Sequence, residues 1–177
     1  MRIRVAIAAL LVHLSVMGAP AQGAAPQPAG QLRLDTPSGY PVPRFVSLKD
    51  DATNCRIGPS SAHPVRFVLK RPGAPVLIIA ESVDHWRKLR DADGDECWAH
   101  QATLKAQTHI LVRESVELRR RPAKGADISA RLGAGVLARL VKRKGEWILV
   151  SAAKAKGWVA AHEVWGGDAL ADSARRD

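Results

Sequence analysis

The stretch "RKLRDADGDECWAH", Arg87 to His100, decides the fold, because it admits three readings: a calcium loop, a Cys-x-x-His metal or haem site, or a hairpin. An EF-hand loop needs oxygen ligands at fixed spacing with Gly at its sixth position, and counted from Asp91 the Gly comes fourth. A calcium repeat of another kind, using Asp91, Asp93 and Asp95, stays open. Cys97 and His100 stand three apart, and in a strand such residues face opposite sides and cannot share a metal. Haem attachment needs a second cysteine three residues before Cys97, where the chain has Gly94. What fits is a hairpin: two strand-like runs flank Asp93-Gly94, a dipeptide suited to a turn with positive φ at both central positions.

The segments around this hairpin occur twice. "TNCRIGPSSAHP" from Thr53 aligns with "VELRRRPAKGAD" from Val116, so that Arg56 falls on Arg119 and Pro59 on Pro122, both at an offset of 63. "DHWRKL" matches "GEWILV", with Trp86 on Trp147 at an offset of 61, and "DECWAH" matches "AKGWVA", with Trp98 on Trp158 at 60. The shrinking offset means the same elements in the same order, with short deletions in the second copy's loops. Within each copy the apolar residues are spaced as in short strands: "APVLIIA" with "HWRKLRD", then "GVLARLV" with "EWILVSA". No window of about eleven residues sustains a helical period there. Each copy therefore reads as an all-β barrel or small sandwich. At about 55 residues a unit is near the lower limit for a self-sufficient core, a reason for the pair to pack together or carry a staple.

Outside the repeats the 177-residue chain reads differently. Arg2 and Arg4 precede an apolar run from Val5 to Met17, and Ala19-Pro20-Ala21 supplies the small residues a signal peptidase needs. This predicts a signal peptide over residues 1–21, cleaved after Ala21. The apolar run is shorter than the roughly 20 residues needed to cross a bilayer, and no later stretch predicts a transmembrane segment. Six of the eleven prolines lie between Pro20 and Pro43, with almost no large apolar residue, which predicts a disordered linker over residues 22–43. Ordered units are expected over residues 44–106 and 107–166, and a flexible tail over 167–177.

The net charge of +10 is uneven. Residues 107–166 hold twelve Lys or Arg against five Asp or Glu, and residues 40–106 hold ten against eight. In a nuclear or cytoplasmic protein such a bias would suggest nucleic acid. For an exported chain no nucleic-acid partner is expected; the polyanions at hand are lipid headgroups, lipopolysaccharide phosphates and cell-wall polymers. Solvated faces that keep the protein soluble account for the same bias.

In order, "NCRIGP", "APVLIIAESVDHWRKLRDADGDECWAH", "LRRRP", "GVLARLVKRKGEW" and "KGWVAAHEVWG" resemble the tandem bacterial SH3-like proteins of exported, proteobacterial type. Modules of that family begin with an Asn-Val-Arg-x-Gly-Pro-like strand and turn and close with Gly-Trp-Val. The second module ends in Trp-Gly, as Trp165 and Gly166 do here. The resemblance implies two small β-barrels of five or so strands each, in the periplasm or at the cell envelope, serving as accessory binding domains. Two departures stand out. Cys55 replaces an apolar residue and Cys97 a Gly, on strands that the implied fold puts near one another, so the resemblance implies a Cys55–Cys97 disulfide. It would close a loop of roughly 43 residues and contribute on the order of 4 kcal/mol. The second departure turns "RIGPS" into "RRRPA". Arg119, Arg120 and Arg121, with Lys124, Lys142, Arg143 and Lys144, are expected to form a basic surface near one end of the second barrel.

An enzyme would need a nucleophile with a base, paired carboxylates, a metal cluster or a phosphate loop. The chain has no Gly-x-Ser-x-Gly, no Walker loop and no His-Glu-x-x-His. Catalysis, a metal and a cofactor are therefore not expected, and binding is left. Five of the eight aromatic residues are Trp. Trp86, Trp98, Trp147 and Trp158 are expected to serve in the core or to line a groove, core packing for at least two of them. A flat apolar face with one N–H donor suits sugar or peptide backbone. The expected partner is peptidoglycan peptide or glycan, with an envelope protein as the alternative and an anionic envelope polymer on the second module.

Overall fold

The computed structural model describes residues 32–168. The expected signal peptide, residues 22–31 of the linker and residues 169–177 of the tail lie outside the described residues. Seven strands form the first sheet: β1 (Arg44–Leu48), β2 (Thr53–Arg56), β3 (Val65–Leu69), β4 (Pro75–Glu81), β5 (Trp86–Arg90), β6 (Glu96–His100) and β7 (Leu104–Ala106). Six form the second: β8 (His109–Leu111), β9 (Val116–Arg119), β10 (Ile128–Leu132), β11 (Leu137–Lys144), β12 (Trp147–Ala152) and β13 (Ala155–Ala160). Their orders are β3-β2-β6-β5-β4-β1-β7 and β10-β9-β13-β12-β11-β8. These are the same order once β8 is matched to β1. The place of β7 is taken in the second sheet by a single bridge between Leu111 and Trp165. No α-helix occurs among the described residues; short 3-10 turns over Gln101–Thr103 and Ala161–Glu163 sit at equivalent places. The all-β tandem architecture expected from the repeat is the one the chain adopts.

Alternation sets the cores. In the first module Leu89 on β5 and Cys97 and Ala99 on β6 point inward, with Leu48, Cys55, Val76 and Ile78. In the second, Ile148 and Val150 on β12 and Val159 on β13 do so, with Ile110, Leu118 and Ala138. Cys55 and Cys97 are bonded to each other, with Cα atoms 5.1 Å apart.

The opening stretch is a hairpin, though of a different kind from the one expected. The amide of Gly94 donates to the Asp91 carbonyl at 3.3 Å and that of Asp91 to the Asp95 carbonyl at 3.0 Å. Of the two central residues only Gly94 has positive φ, at 93°. This is a three-residue loop with Gly in the left-handed position rather than a two-residue turn. Asp91 Oδ1 accepts the amides of Asp93 and Asp95 at 3.0 and 2.9 Å, so its carboxylate organises the turn.

The linker expectation over residues 22–43 needs correction for the described part. Val42 is 3% exposed and belongs to the first core, and Arg33 bridges Val42. Ser38 gives its amide to Glu81 Oε2 at 3.0 Å and its hydroxyl to Oε1 at 2.9 Å. The physical reason lies in Glu81, whose side chain is fully buried between Arg44 and Arg87. A buried carboxylate must have its acceptor sites filled, and a proline-rich strap can supply a hydroxyl and an amide without regular structure.

The two modules are joined by polar and aromatic contacts. The Trp165 indole donates to the Pro75 carbonyl at 2.9 Å and meets Phe45 edge to face at 5.0 Å. Ser47 Oγ accepts the Thr108 amide at 3.1 Å. His109 lies in this seam, its Nδ1 2.8 Å from Thr108 Oγ1. Burial, with Lys105 and Arg139 nearby, holds its pKa below the ordinary imidazole value.

Candidate functional site

All four repeat-equivalent tryptophans face away from the cores. Because Cys97 and Ala99 point inward, Trp98 points out; Ile148 and Val150 place Trp147 outward in the same way, and each Trp is half-buried. The expectation that at least two would pack in the core is thus corrected: the cores consist of aliphatic residues and, in the first module, the disulfide. Trp86 pairs with His100 across β5 and β6 while Trp98 lies two residues away on β6. Trp147 and Trp158 repeat the diagonal on β12 and β13. Such diagonal neighbours are about 7–8 Å apart, within reach of aromatic side chains.

Trp98 and Trp158 each stand in a row of cross-strand partners. In the first module the row runs Arg56–Trp98–Lys88–Ala80. In the second it runs Arg119–Trp158–Leu149–Lys142. The leading arginines do the same structural job: Arg56 donates to the His63 carbonyl at 2.7 Å and Arg119 to the Ala126 carbonyl at 2.9 Å, each tying down the turn after its strand.

The expected basic surface therefore divides. Arg119 braces a turn and meets Glu117 at 3.4 Å. Arg143 donates to the carbonyls of Gly166 and Gly167. Arg120, Arg121, Lys124, Lys142 and Lys144 are exposed. Lys142 stands in the row of Trp158, and Lys144 is paired with Trp147.

The outer faces differ in charge. In the first module Glu96 is held by Lys88 at 2.6 Å and by Arg90 at 2.6 Å. Hydrogen bonds from Lys88 and Arg90 keep its pKa below the ordinary carboxylate value. At the corresponding positions the second module has Lys156, Leu149 and Ser151, so the acid has become a base and both its partners have gone. There an open cleft of about 360 Å³ lies among Arg119, Arg120, Ser129, Leu149, Lys156 and Trp158. Gly157 is part of its lining; a Cβ there would come within 2.6 Å of Ser129 Oγ and 2.7 Å of Leu118 Cβ. Sequence reasoning missed Lys156, Leu149 and Ser129, although the offset of 60 that pairs Trp98 with Trp158 also sets Lys156 on Glu96.

Among the described residues no group of three or more His, Cys, Asp or Glu could hold a metal ion. Ser60 Oγ lies 2.7 Å from His63 Nδ1. That pair belongs to the turn pinned by Arg56, with the His63 ring packed over Gly58. Both cysteines are in the disulfide, so neither is a thiol nucleophile. Among the described residues no helix is long and apolar enough to cross a membrane.

A family profile described as "Bacterial SH3 domain" matches residues 49–105 and again 112–166. No curated protein sequence matches the chain. Two solved structures are similar over part of their length. They are "Structure of NlpC1 from Trichomonas vaginalis", at 11% identity and a TM-score of 0.32, and "Structure of NlpC2 from Trichomonas vaginalis", at 11% identity and 0.31. The matches cover 70% of this chain in both cases, and 45% and 48% of those chains, so the chain spans about half the length of these neighbours.

Proposed function

We propose a binding function from one premise: the chain belongs to the bacterial SH3 domain family, twice over. That family consists of binding modules. On this reading the protein is exported, is of the proteobacterial type and is non-catalytic. It recognises a cell-envelope ligand, first of all the peptide or glycan of peptidoglycan. The observation that carries the reading is the placement of Trp86, Trp98, Trp147 and Trp158. Four large amphipathic rings stand half-exposed on outer faces, paired diagonally in both modules, where hydrocarbon packing does not require them. Such rings suit the flat faces of sugars and peptide groups. The disulfide agrees with an oxidising compartment.

A second reading makes the protein an adaptor that docks an envelope protein without touching the wall. Co-sedimentation of the oxidised protein with purified wall sacculi, at about 0.05 and 0.3 M salt, separates the two. Wall recognition through aromatic faces predicts pelleting at both salts. A protein that stays in the supernatant at both refutes wall binding and leaves the adaptor, to be sought by crosslinking. Pelleting at low salt alone also refutes it, and points to charge attraction for an anionic envelope polymer.

A further inference from the structure

The repeats allow each outer face to serve as the control for the other. In the first module the charges beside Trp98 are internally satisfied: Glu96 occupies both Lys88 and Arg90. In the second module the same positions hold Lys156, Leu149 and Ser151. Three basic residues line the cleft beside Trp158, and none of its lining residues is acidic. Glu117, which touches Arg119 at 3.4 Å, is shared with Arg131 at 2.8 Å. Arg120 and Lys156 are exposed. The cleft thus joins a ring face to bases with no acid in its lining, whereas beside Trp98 the carboxylate of Glu96 is bound to the two neighbouring bases.

We infer that the Trp158 cleft is an anion-selective sugar site, taking a pyranose that bears a carboxylate or a phosphate group, and that the first module's face is closed to such ligands by Glu96. The anionic group meets Arg120 and Lys156, while the sugar ring lies on the Trp158 indole beside Leu149. Hydrogen bonds between ionised partners are roughly twice as strong as neutral ones, so the charged group sets selectivity and the indole supplies sequence-tolerant contact. The inference deepens the envelope-binding reading and rests on it for its biological setting.

The test follows the indole N–H signals of the oxidised protein by NMR while glucuronate, glucose 6-phosphate or glucose is added at about 0.05 M salt. The expected result is a shift of the Trp158 signal with at least one of the two anions, an unmoved Trp98 signal, and no response to glucose. Which anion responds more strongly tells a sugar acid from a phosphorylated sugar. Lys156→Glu should weaken the Trp158 response about tenfold or more, and Arg120→Ser, on the exposed loop, should weaken it by a smaller factor. Glu96→Lys should give Trp98 a response of its own. Equal shifts at Trp98 and Trp158, an equal response to glucose, no response to any of the three, or a Lys156→Glu protein that binds as before would each overturn the inference. If Trp158 responds as expected but the protein does not pellet with sacculi, the cleft stands and the wall reading fails; pelleting with a silent Trp158 gives the reverse.

Discussion

Cys55 and Cys97 in the first module occupy the positions of Leu118 and Gly157 in the second, as the pairings Arg56 with Trp98 and Arg119 with Trp158 show. The space under the sheet is the same in both. The second module fills it with one large side chain, and the facing position must then be Gly, since a Cβ would lie 2.7 Å from Leu118 Cβ. The first divides the space between two sulfurs and bonds them. A similar contrast appears at the ends of β4 and β11. Glu81 is paired with Arg87 and buried in an ion network, whereas Arg143 and Ile148 stand in register in the second module, with Ile148 fully buried. One topology therefore tolerates either a covalent and ionic interior or a wholly apolar one. The disulfide and Glu81 tie the first to oxidation state and pH.

Reducing the disulfide is the strongest way to break this comparison. A crosslink spanning a sequence separation of 42 contributes about 4 kcal/mol on chain-entropy grounds. Hydrogen exchange with and without reductant should show the amides of β1 to β6 losing protection while β8 to β13 keep theirs. Equal losses in both sheets would mean that the modules unfold as one unit and that the contrast has no thermodynamic meaning.

Removing Glu81 comes next. Glu81→Ala leaves Arg44 and Arg87 uncompensated in a buried place and should cost the first module about 3 kcal/mol in urea denaturation. Burial alone would raise the pKa of this carboxyl, but hydrogen bonds from Ser38 and Arg44 outweigh it and hold the pKa below the ordinary value. A carboxyl depressed in the folded state contributes stability in full above its unfolded value of about 4.3 and loses it as pH falls through the folded value. Thermal stability of the first module should accordingly fall below about pH 4, and Glu81→Gln should flatten part of that fall. A pH profile unchanged by Glu81→Gln would show that other carboxyls govern acid unfolding.

The repeat was legible because Arg, Pro and the scarce Trp recur in the same order at offsets of 63, 61 and 60 that few accidents would produce. The disulfide was legible through the export signal and the family resemblance, since two cysteines 42 residues apart have no local signature. The outward direction of Trp98 could have been read once Cys97 was taken as buried, because neighbours in a strand face opposite sides. The Glu81 network was not legible. Ser38, Arg44, Glu81 and Arg87 are scattered along the chain, and three of them are charged residues of types that lie mostly at surfaces. For the same reason the strap around Ser38 looked like a linker: its composition reports no core, and its one buried apolar residue, Val42, sits among prolines.

Smaller effects sharpen the comparison at single positions. Gly157→Ala should cost about 2 kcal/mol through overpacking against Leu118 and displacement of the Ser129 hydroxyl, which donates to the Leu118 carbonyl at 3.1 Å. The double variant Leu118→Cys with Gly157→Cys should instead transplant the first module's solution, forming a second bridge visible as the loss of two free thiols by mass after alkylation. A second module that folds with both thiols free would show that the two interiors are not interchangeable.

The smallest expected change concerns Thr53, which is fully buried and stands where the second module has Val116; the two pair with Leu69 and Leu132 respectively. Among the described residues Thr53 Oγ1 has no hydrogen-bond partner. A hydroxyl desolvated without a partner costs more than an apolar group of the same shape, so Thr53→Val should raise the first module's stability by about 1 kcal/mol in urea denaturation. Val116→Thr should lower that of the second by a similar amount, because it places the same hydroxyl in an equivalent apolar site. Opposite signs for the two exchanges would show that the sites are equivalent in energy as well as in register. A loss in both would mean that Thr53 is satisfied in its own module, and that the first interior differs from the second at this position too.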